Sequence, residues 1–321
     1  MKRSEFIENW RKARQYTPEQ LEHARTVLEE VRAGIRLDRA LRSNPMPDGS
    51  LIPKHALVAA YRDLVARGEW QEDNDFLTRI RMKPVRTLSG VTTVTVLTRN
   101  SPCPGNCIFC PTEPGMPKSY LVDEPGAARA AQNRFDPYDQ VSSRLKEYEA
   151  VGHPNDKIEL LVLGGSWSCY PRAYQEWFIR RCFHAMNADS TDSPPDPASI
   201  TEPPPTSAPV DLDELRVVHT QNETANHRNV GLVIETRPDD ITRDEIVWLR
   251  RMGVTKLQMG AQSLDDRVLA LNQRGHTSAD TLRATTLLRA GGFKTVLHWM
   301  PNLLGATLDS DAQDFARLWT D

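Results

Sequence analysis

Over the first eighty residues the apolar positions recur at helical spacing. After Thr17-Pro18-Glu19-Gln20, a Thr cap followed by proline at the first helical position, Leu21, Ala24, Val27, Leu28 and Val31 keep one face apolar until Gly34. A second helix is predicted over 54–67, stopping at Gly68; between the two, Asn44-Pro45-Met46-Pro47-Asp48-Gly49 is turn chemistry. From position 91 the pattern changes. β-Rich runs at 91–98, 157–163, 231–236, 255–260 and 293–298 alternate with helical patterns at 137–151, 172–186, 243–252, 278–290 and 310–319. That alternation predicts an α/β fold, parallel strands in a sheet or barrel covered by helices, with ligands bound just past the C-terminal ends of the strands. The chain is expected to divide into a small helical N-terminal module, 1–82, and a βα part, 83–321. No internal repeat beyond the βα alternation is evident.

Composition adds two exceptions to this pattern. Positions 189–210 hold seven of the 23 prolines amid Ser, Thr, Asp and Glu, with almost nothing to bury, so a disordered surface insertion is expected there. The sequence also stops at Asp321 inside an apparent helix, which predicts a fragment of a longer protein. With 321 residues, 39% hydrophobic and 26% charged, the chain is neither an unfolded tail nor a disulfide miniprotein. No run approaches the ~20 apolar residues of a membrane span, and MKRSEFIENW carries charges where a signal peptide needs an apolar core. A cytoplasmic protein with no membrane partner is expected.

The net charge of −3 conceals an asymmetry. Residues 1–100 hold 18 Lys and Arg against 13 Asp and Glu, whereas the remainder holds 22 against 30. Between Arg79 and Arg99 the basic residues Arg79, Arg81, Lys83, Arg86 and Arg99 occur with no acidic one, enough to neutralise several nucleic-acid phosphates; the alternative is an ordinary solvated face.

The densest chemistry is Cys103-Pro104-Gly105-Asn106-Cys107-Ile108-Phe109-Cys110, a C-x3-C-x2-C loop following the first predicted strand. Five cysteines, an odd number in a cytosolic chain, argue for metal or redox chemistry over disulfides. Structural zinc normally takes four protein ligands in two separated pairs, so three cysteines suit a [4Fe–4S] cluster whose fourth iron is chelated by the amino and carboxylate groups of S-adenosylmethionine. A zinc knuckle with a distant fourth ligand is the alternative. Cys169 and Cys182 read as small buried hydrophobes.

The cysteine spacing resembles the signature of the radical SAM superfamily. The resemblance implies Cys103, Cys107 and Cys110 as cluster ligands and Phe109 as the aromatic residue beside the adenine. Gly164 and Gly165, closing the second strand, resemble the glycine motif for the SAM amino group; a plain strand-ending turn is the alternative. Glu235, Gln262 and Arg274, at successive strand ends, resemble in order and spacing the SAM-contacting set of oxygen-independent coproporphyrinogen oxidases. Taken singly, each is more often a surface pair, such as Glu235 with Arg237; taken together at strand ends they read as ligand contacts.

A narrower resemblance rests on Lys83-Pro84-Val85-Arg86-Thr87-Leu88-Ser89-Gly90-Val91-Thr92, Pro117-Lys118-Ser119-Tyr120 and Asp136-Pro137-Tyr138-Asp139-Gln140. It continues in Ile234-Glu235-Thr236-Arg237-Pro238-Asp239, Gly260-Ala261-Gln262-Ser263, Asn272-Gln273-Arg274-Gly275-His276 and His298-Trp299-Met300-Pro301. Together these are similar to the Elongator protein three family, the catalytic subunit of Elongator, over nearly the whole chain apart from the proline-rich insertion. Departures are Thr112-Glu113, where the family usually has two glycines, and Asn302, where it usually has an acidic residue; neither removes a cluster ligand.

The family resemblance implies an incomplete (βα)6-type radical SAM barrel behind the helical module, lacking a C-terminal acetyltransferase domain, so the fragment alone is expected not to turn over. It implies carboxymethylation of the tRNA wobble uridine at carbon 5. Acetyl-CoA, bound by the missing domain, is the donor, and a 5′-deoxyadenosyl radical abstracts hydrogen from its acetyl methyl. Implied partners are the tRNA anticodon region and either a second copy in a homodimer or an Elongator-type complex. The tRNA phosphates are assigned to Arg36, Arg39, Arg79, Arg81, Lys83 and Arg86, with Arg11, Lys12, Arg14 and Arg42 extending the surface. A radical SAM enzyme acting on a small molecule, and a non-catalytic zinc-stabilised RNA-binding module, remain as other readings.

Overall fold

The computed structural model describes residues 16–188 and 202–320. The predicted insertion therefore lies outside the described residues over 189–201, and 202–210 form neither helix nor strand. Two compact units are resolved, one of residues 1–92 with 143–157 and one of 93–142 with 158–321.

The first unit is helical: α1 (Pro18–Arg32), α2 (Leu37–Ser43), α3 (Lys54–Ala66) and α4 (Asn74–Ile80), then a 3-10 turn, Pro84–Thr87. At the start of α1 the Thr17 hydroxyl accepts from the Gln20 N–H while the Gln20 side chain accepts from the Thr17 N–H, satisfying two donors that helix geometry leaves free. Ala24, Val27, Leu28 and Val31 of α1 are buried in one apolar cluster with Leu57, Ala60, Tyr61 and Leu64 of α3. The helical spacing of the sequence thus maps onto a packed face. Tyr61, Trp70 and Phe76 close the cluster ring against ring.

The second unit is α/β. Strands β1 (Thr92–Leu97), β2 (Lys157–Leu163), β3 (Arg228–Thr236), β4 (Lys256–Gln262) and β5 (Lys294–Trp299) form one sheet in chain order. β3, β4 and β5 pair in parallel, with Val233 opposite Lys256 and Lys256 opposite Lys294. Helices α5 (Pro125–Gln132) and α6 (Pro137–Ala150) lie between β1 and β2 in sequence, α7 (Arg172–Asn187) and α8 (Leu212–Asn222) between β2 and β3. Next come α9 (Arg243–Arg251), then α10 (Asp266–Leu271) and α11 (Ser278–Ala290), and α12 (Leu308–Arg317) follows β5. A sheet in which each strand lies beside its predecessor winds one way, as a barrel wall does, and brings all its C-terminal ends to one rim.

The open edge of β1 is closed by a side chain. Gln140 Oε1 accepts from the Leu97 N–H at 2.8 Å and Gln140 Nε2 donates to the Leu97 carbonyl at 2.9 Å, so one buried amide stands in for a neighbouring strand.

Candidate active site

Past β1 the chain turns at Thr98, whose N–H donates to the Leu163 carbonyl (2.9 Å) and whose Oγ1 shares a hydrogen bond with Tyr170 Oη (2.8 Å). The cysteine loop follows. Its shape is set by the Cys110 N–H on the Cys107 carbonyl (3.2 Å) and the Ile108 N–H on the Asn272 carbonyl (3.2 Å), which anchors it to the segment after α10. Lys118 donates to the Gly105 carbonyl, and Cys110 Sγ lies 2.7 Å from Ser119 Oγ. Ser119 itself holds φ at +82°, a strain that turns residues 118–120 back over the loop.

An open cavity of about 630 Å³, its solvent-filled mouth included, lies against this loop. Cys103, Cys107, Phe109, Cys110, Gly164, Gly165, Glu235, Gln262 and Arg274 all line it. Every residue assigned from the sequence to the cluster or to SAM is therefore in one place. The cysteine loop follows β1, the glycines follow β2, Glu235 lies near the end of β3 and Gln262 at the end of β4, whereas Arg274 arrives from the segment after α10.

The walls are charged and hydrogen-bonded. Arg274 is buried; its Nη1 donates to Cys107 Sγ at 3.4 Å and its Nη2 to the Gly260 carbonyl at 2.7 Å. Arg237, also buried, donates to the Asp239 carboxylate (2.8 Å) and to the Arg274 carbonyl (2.9 Å). Glu235 accepts from Tyr120 Oη on one oxygen and from His298 Nδ1 on the other, both at 3.3 Å. The hydrogen bond with Glu235 holds the His298 imidazole above its usual pKa despite burial. His276 is the opposite case: burial, then the Arg274 charge, lower it to about 4, so it stands neutral with Nε2 on the Ala261 carbonyl.

Sequence reasoning missed four of these. Lys118, Tyr120 and His298 belong to motifs quoted above, but nothing in a linear sequence shows that Tyr120 and His298 meet on one carboxylate. Arg237, considered only as a surface partner for Glu235, instead pairs with Asp239 and lines the cavity. Cys182 is fully buried; Cys169 is half-buried beside Asp240, and burial followed by that carboxylate pushes its thiol up to about 11.

Three buried polar atoms of the lining residues have no partner: Arg237 Nη1, Arg274 Nε and Gln262 Oε1. Such atoms cost about 1–3 kcal/mol each when left unsatisfied, so the cavity is built for a polar occupant. Gln262 also holds φ at +67°, a conformation unfavourable for any residue but glycine or asparagine. At Gly105 and Gly260 a Cβ would lie 2.6 Å from Arg237 Nη1 and 2.7 Å from Arg274 Nη2. Among the described residues no three His, Cys, Asp or Glu side chains are grouped to hold a single metal ion. Three cysteines that each ligate a different iron of a cluster need no such convergence. The donor set thus fits a cluster with a zwitterionic, ribose-bearing ligand.

Residues 101–318 match the Radical SAM superfamily, and the chain belongs to it. That membership implies a [4Fe–4S] cluster and S-adenosylmethionine, and the cavity carries donors for both. Within the superfamily the chain is 40% identical over 248 residues to a tRNA uridine(34) acetyltransferase of Methanocaldococcus infernus, covering 75% of this chain and 42% of that protein. It is 32% identical to Elongator complex protein 3 of Schizosaccharomyces pombe, covering 74% and 42%. A solved structure of an N-terminally shortened archaeal Elongator protein 3 from Methanocaldococcus infernus superposes with TM-score 0.53 at 33% identity, covering 72% of this chain and 42% of that one. The chain spans less than half the length of these relatives.

The basic residues assigned to tRNA are in the helical unit. Arg36 is exposed and paired with Asp38 at 3.1 Å, Arg39 is exposed, and the Arg79 guanidinium lies over the Phe76 ring. Lys83 and Arg86 are exposed and line a second cavity, whereas Arg81 is buried. Arg11, Lys12 and Arg14 lie outside the described residues.

The strand-end contacts lead to a first prediction. Gln262→Ala and Glu235→Ala each remove polar contacts worth about 1–3 kcal/mol to a bound ligand. SAM affinity, measured by equilibrium dialysis on the reconstituted chain, is expected to fall by that amount with iron content unchanged. Unaltered SAM binding in both variants would return these residues to a purely structural role.

Proposed function

We propose that the chain is the radical SAM portion of an enzyme that carboxymethylates carbon 5 of the tRNA wobble uridine with acetyl-CoA as donor. The observation that carries this reading is the single cavity lined by the three loop cysteines and the strand-end set Gly164, Gly165, Glu235, Gln262 and Arg274. Two relatives whose names specify uridine 34 of tRNA or Elongator support the choice of substrate. A cluster and SAM bound there would supply one-electron chemistry.

The chain's own residues do the rest by binding and orientation. Cys103, Cys107 and Cys110 would hold three irons of the cluster, and Arg274, donating to Cys107 Sγ, would offset thiolate charge. Glu235, fixed between Tyr120 and His298, presents carboxylate oxygens to ribose hydroxyls. Gln262, with its unpaired Oε1, and the unpaired Arg237 Nη1 offer an acceptor and a charged donor to the amino-acid end of the ligand. Acetyl-CoA is placed on a part of the protein beyond this chain, and an anticodon substrate suits a cytoplasmic site of action.

The basic front of the sequence gives the tRNA test. Charge reversal of Arg36, Arg39 and Lys83 together is expected to lower tRNA affinity and to flatten its dependence on salt by about three phosphate contacts' worth of slope, with cluster assembly intact. Filter binding over a salt series checks this. An unchanged slope would place the tRNA elsewhere, and no tRNA binding at any salt would favour a small-molecule substrate.

A further inference from the structure

Within the helical unit, Met82, Lys83, Arg86, Arg144, Glu147, Tyr148, Val151 and His153 line an open cavity of about 470 Å³, the open solvent at its mouth included. Its charge is out of balance. Arg144 is paired, its Nη1 donating to Glu147 at 2.6 Å and its Nη2 to Tyr148 Oη at 2.9 Å, with the guanidinium over the Tyr148 ring. Among the described residues Lys83 and Arg86 have no carboxylate partner. Arg81, directly before the cavity-lining segment, is 7% exposed; among the described residues its one side-chain hydrogen bond is Nη2 to the Pro84 carbonyl at 3.4 Å, and its buried Nε has none. A guanidinium out of water with no anion is costly.

The cavity is also rigidly built. Lys83 holds φ at +49°, the left-handed turn that starts the Pro84–Thr87 3-10 segment. That turn is braced by His153, 4% exposed, whose Nδ1 bonds Thr87 Oγ1 at 2.9 Å and whose ring also bonds the Met82 backbone. Burial, and then the charge of Arg81 with smaller contributions from Arg86 and Arg144, lower the pKa of this imidazole from its ordinary value. Arg81, Arg86 and Arg144 thus converge on one histidine, and Glu147, already paired with Arg144, is the one carboxylate among the residues that line the cavity.

We propose that this cavity seats one phosphate group, with Lys83, Arg86 and Arg144 as its ligands and the buried Arg81 as the fixed charge behind them. Resting on the tRNA reading above, the group is a backbone phosphate of the RNA. This gives the helical unit a defined anchor in place of a diffuse basic face. It also gives Arg144, unassigned from sequence, a ligand.

The test is phosphorus NMR of inorganic phosphate titrated with the full chain at constant ionic strength. Wild type is expected to broaden the phosphate line, and Lys83→Gln with Arg86→Gln, both exposed and therefore neutral to folding, to abolish most of that broadening with an unchanged circular-dichroism melt. No broadening in wild type, or equal broadening in the double variant, overturns the site. An anticodon stem-loop RNA added to the wild-type mixture is expected to restore the sharp line. If coenzyme A restores it and the RNA does not, the phosphate site stands and its assignment to RNA fails.

Discussion

A Cys107→Ser chain is expected to come through anaerobic reconstitution colourless, without iron, and unable to cleave SAM. Cys107 is the most enclosed of the three loop cysteines: the residue is 8% exposed, its sulfur accepts from Arg274 Nη1, and a Cβ on Gly105 would stand 3.5 Å from it. A hydroxyl at that place is a far weaker iron ligand than a thiolate, and two cysteines do not hold a cluster that three barely hold. The comparison variants are Cys169→Ser and Cys182→Ser. Cys182 lies fully buried within α7, and its thiol is pushed well up by burial, the behaviour of an inert core group. Both variants are expected to retain iron near the wild-type level, whatever Cys182→Ser costs in stability. Equal iron loss from Cys182→Ser would separate iron binding from the loop.

The largest stability effect is expected at Gly164. An alanine Cβ there would fall 2.0 Å from Thr98 Oγ1 and 3.1 Å from the Thr98 nitrogen, on a backbone with φ of +130° that side-chain-bearing residues avoid. Thr98 cannot retreat, because its N–H is bonded to the Leu163 carbonyl and its hydroxyl to Tyr170. Strain and displacement together should cost about 3 kcal/mol or more, read as a lower denaturation midpoint of the metal-free chain. Gly126→Ala is the contrast. Its Cβ would meet only Leu97 Cδ1 at 3.6 Å, an ordinary contact inside α5, and the variant should lie within about 0.5 kcal/mol of wild type or above it. A Gly164→Ala chain as stable as Gly126→Ala would mean that the turn after β2 is not the tight junction described.

The longer elements were legible because their signals are local. β2 and α11 have the predicted bounds, and α1 ends within two residues of the glycine that marked its stop. The five strands fall where β-rich runs were read, although β3 begins three residues early and β4 runs two residues further, to Gln262. What escaped were α2, α4, α5, α8 and α10, helices of six to eleven residues, most of them too short for a repeating apolar stripe. α5 shows why: its buried positions, Ala127 and Ala130, are two alanines in an alanine-rich run.

The site divides along the same line. A three-cysteine loop, a glycine pair and polar residues at strand ends announce themselves in sequence because each is a local pattern on an α/β template. Their convergence does not. Glu235 meets Tyr120 from 115 residues upstream, and Arg274 reaches Cys107 across 167. Such meetings depend on the sheet winding in one direction and on the folding back of residues 118–120, neither of which is written at a single position. The role of Arg81 was likewise invisible: a basic residue in a basic run gives no sign of being the one that is buried.

If one cavity at the strand ends holds both a cluster and SAM, the cluster and SAM cleavage are lost or gained together. Iron, acid-labile sulfide and zinc are measured together on the anaerobically reconstituted full chain, with SAM cleavage followed in the same sample under a strong reductant. The expected result is about four iron and four sulfide per chain, with 5′-deoxyadenosine and methionine released. One zinc per chain, no sulfide and no cleavage would contradict it.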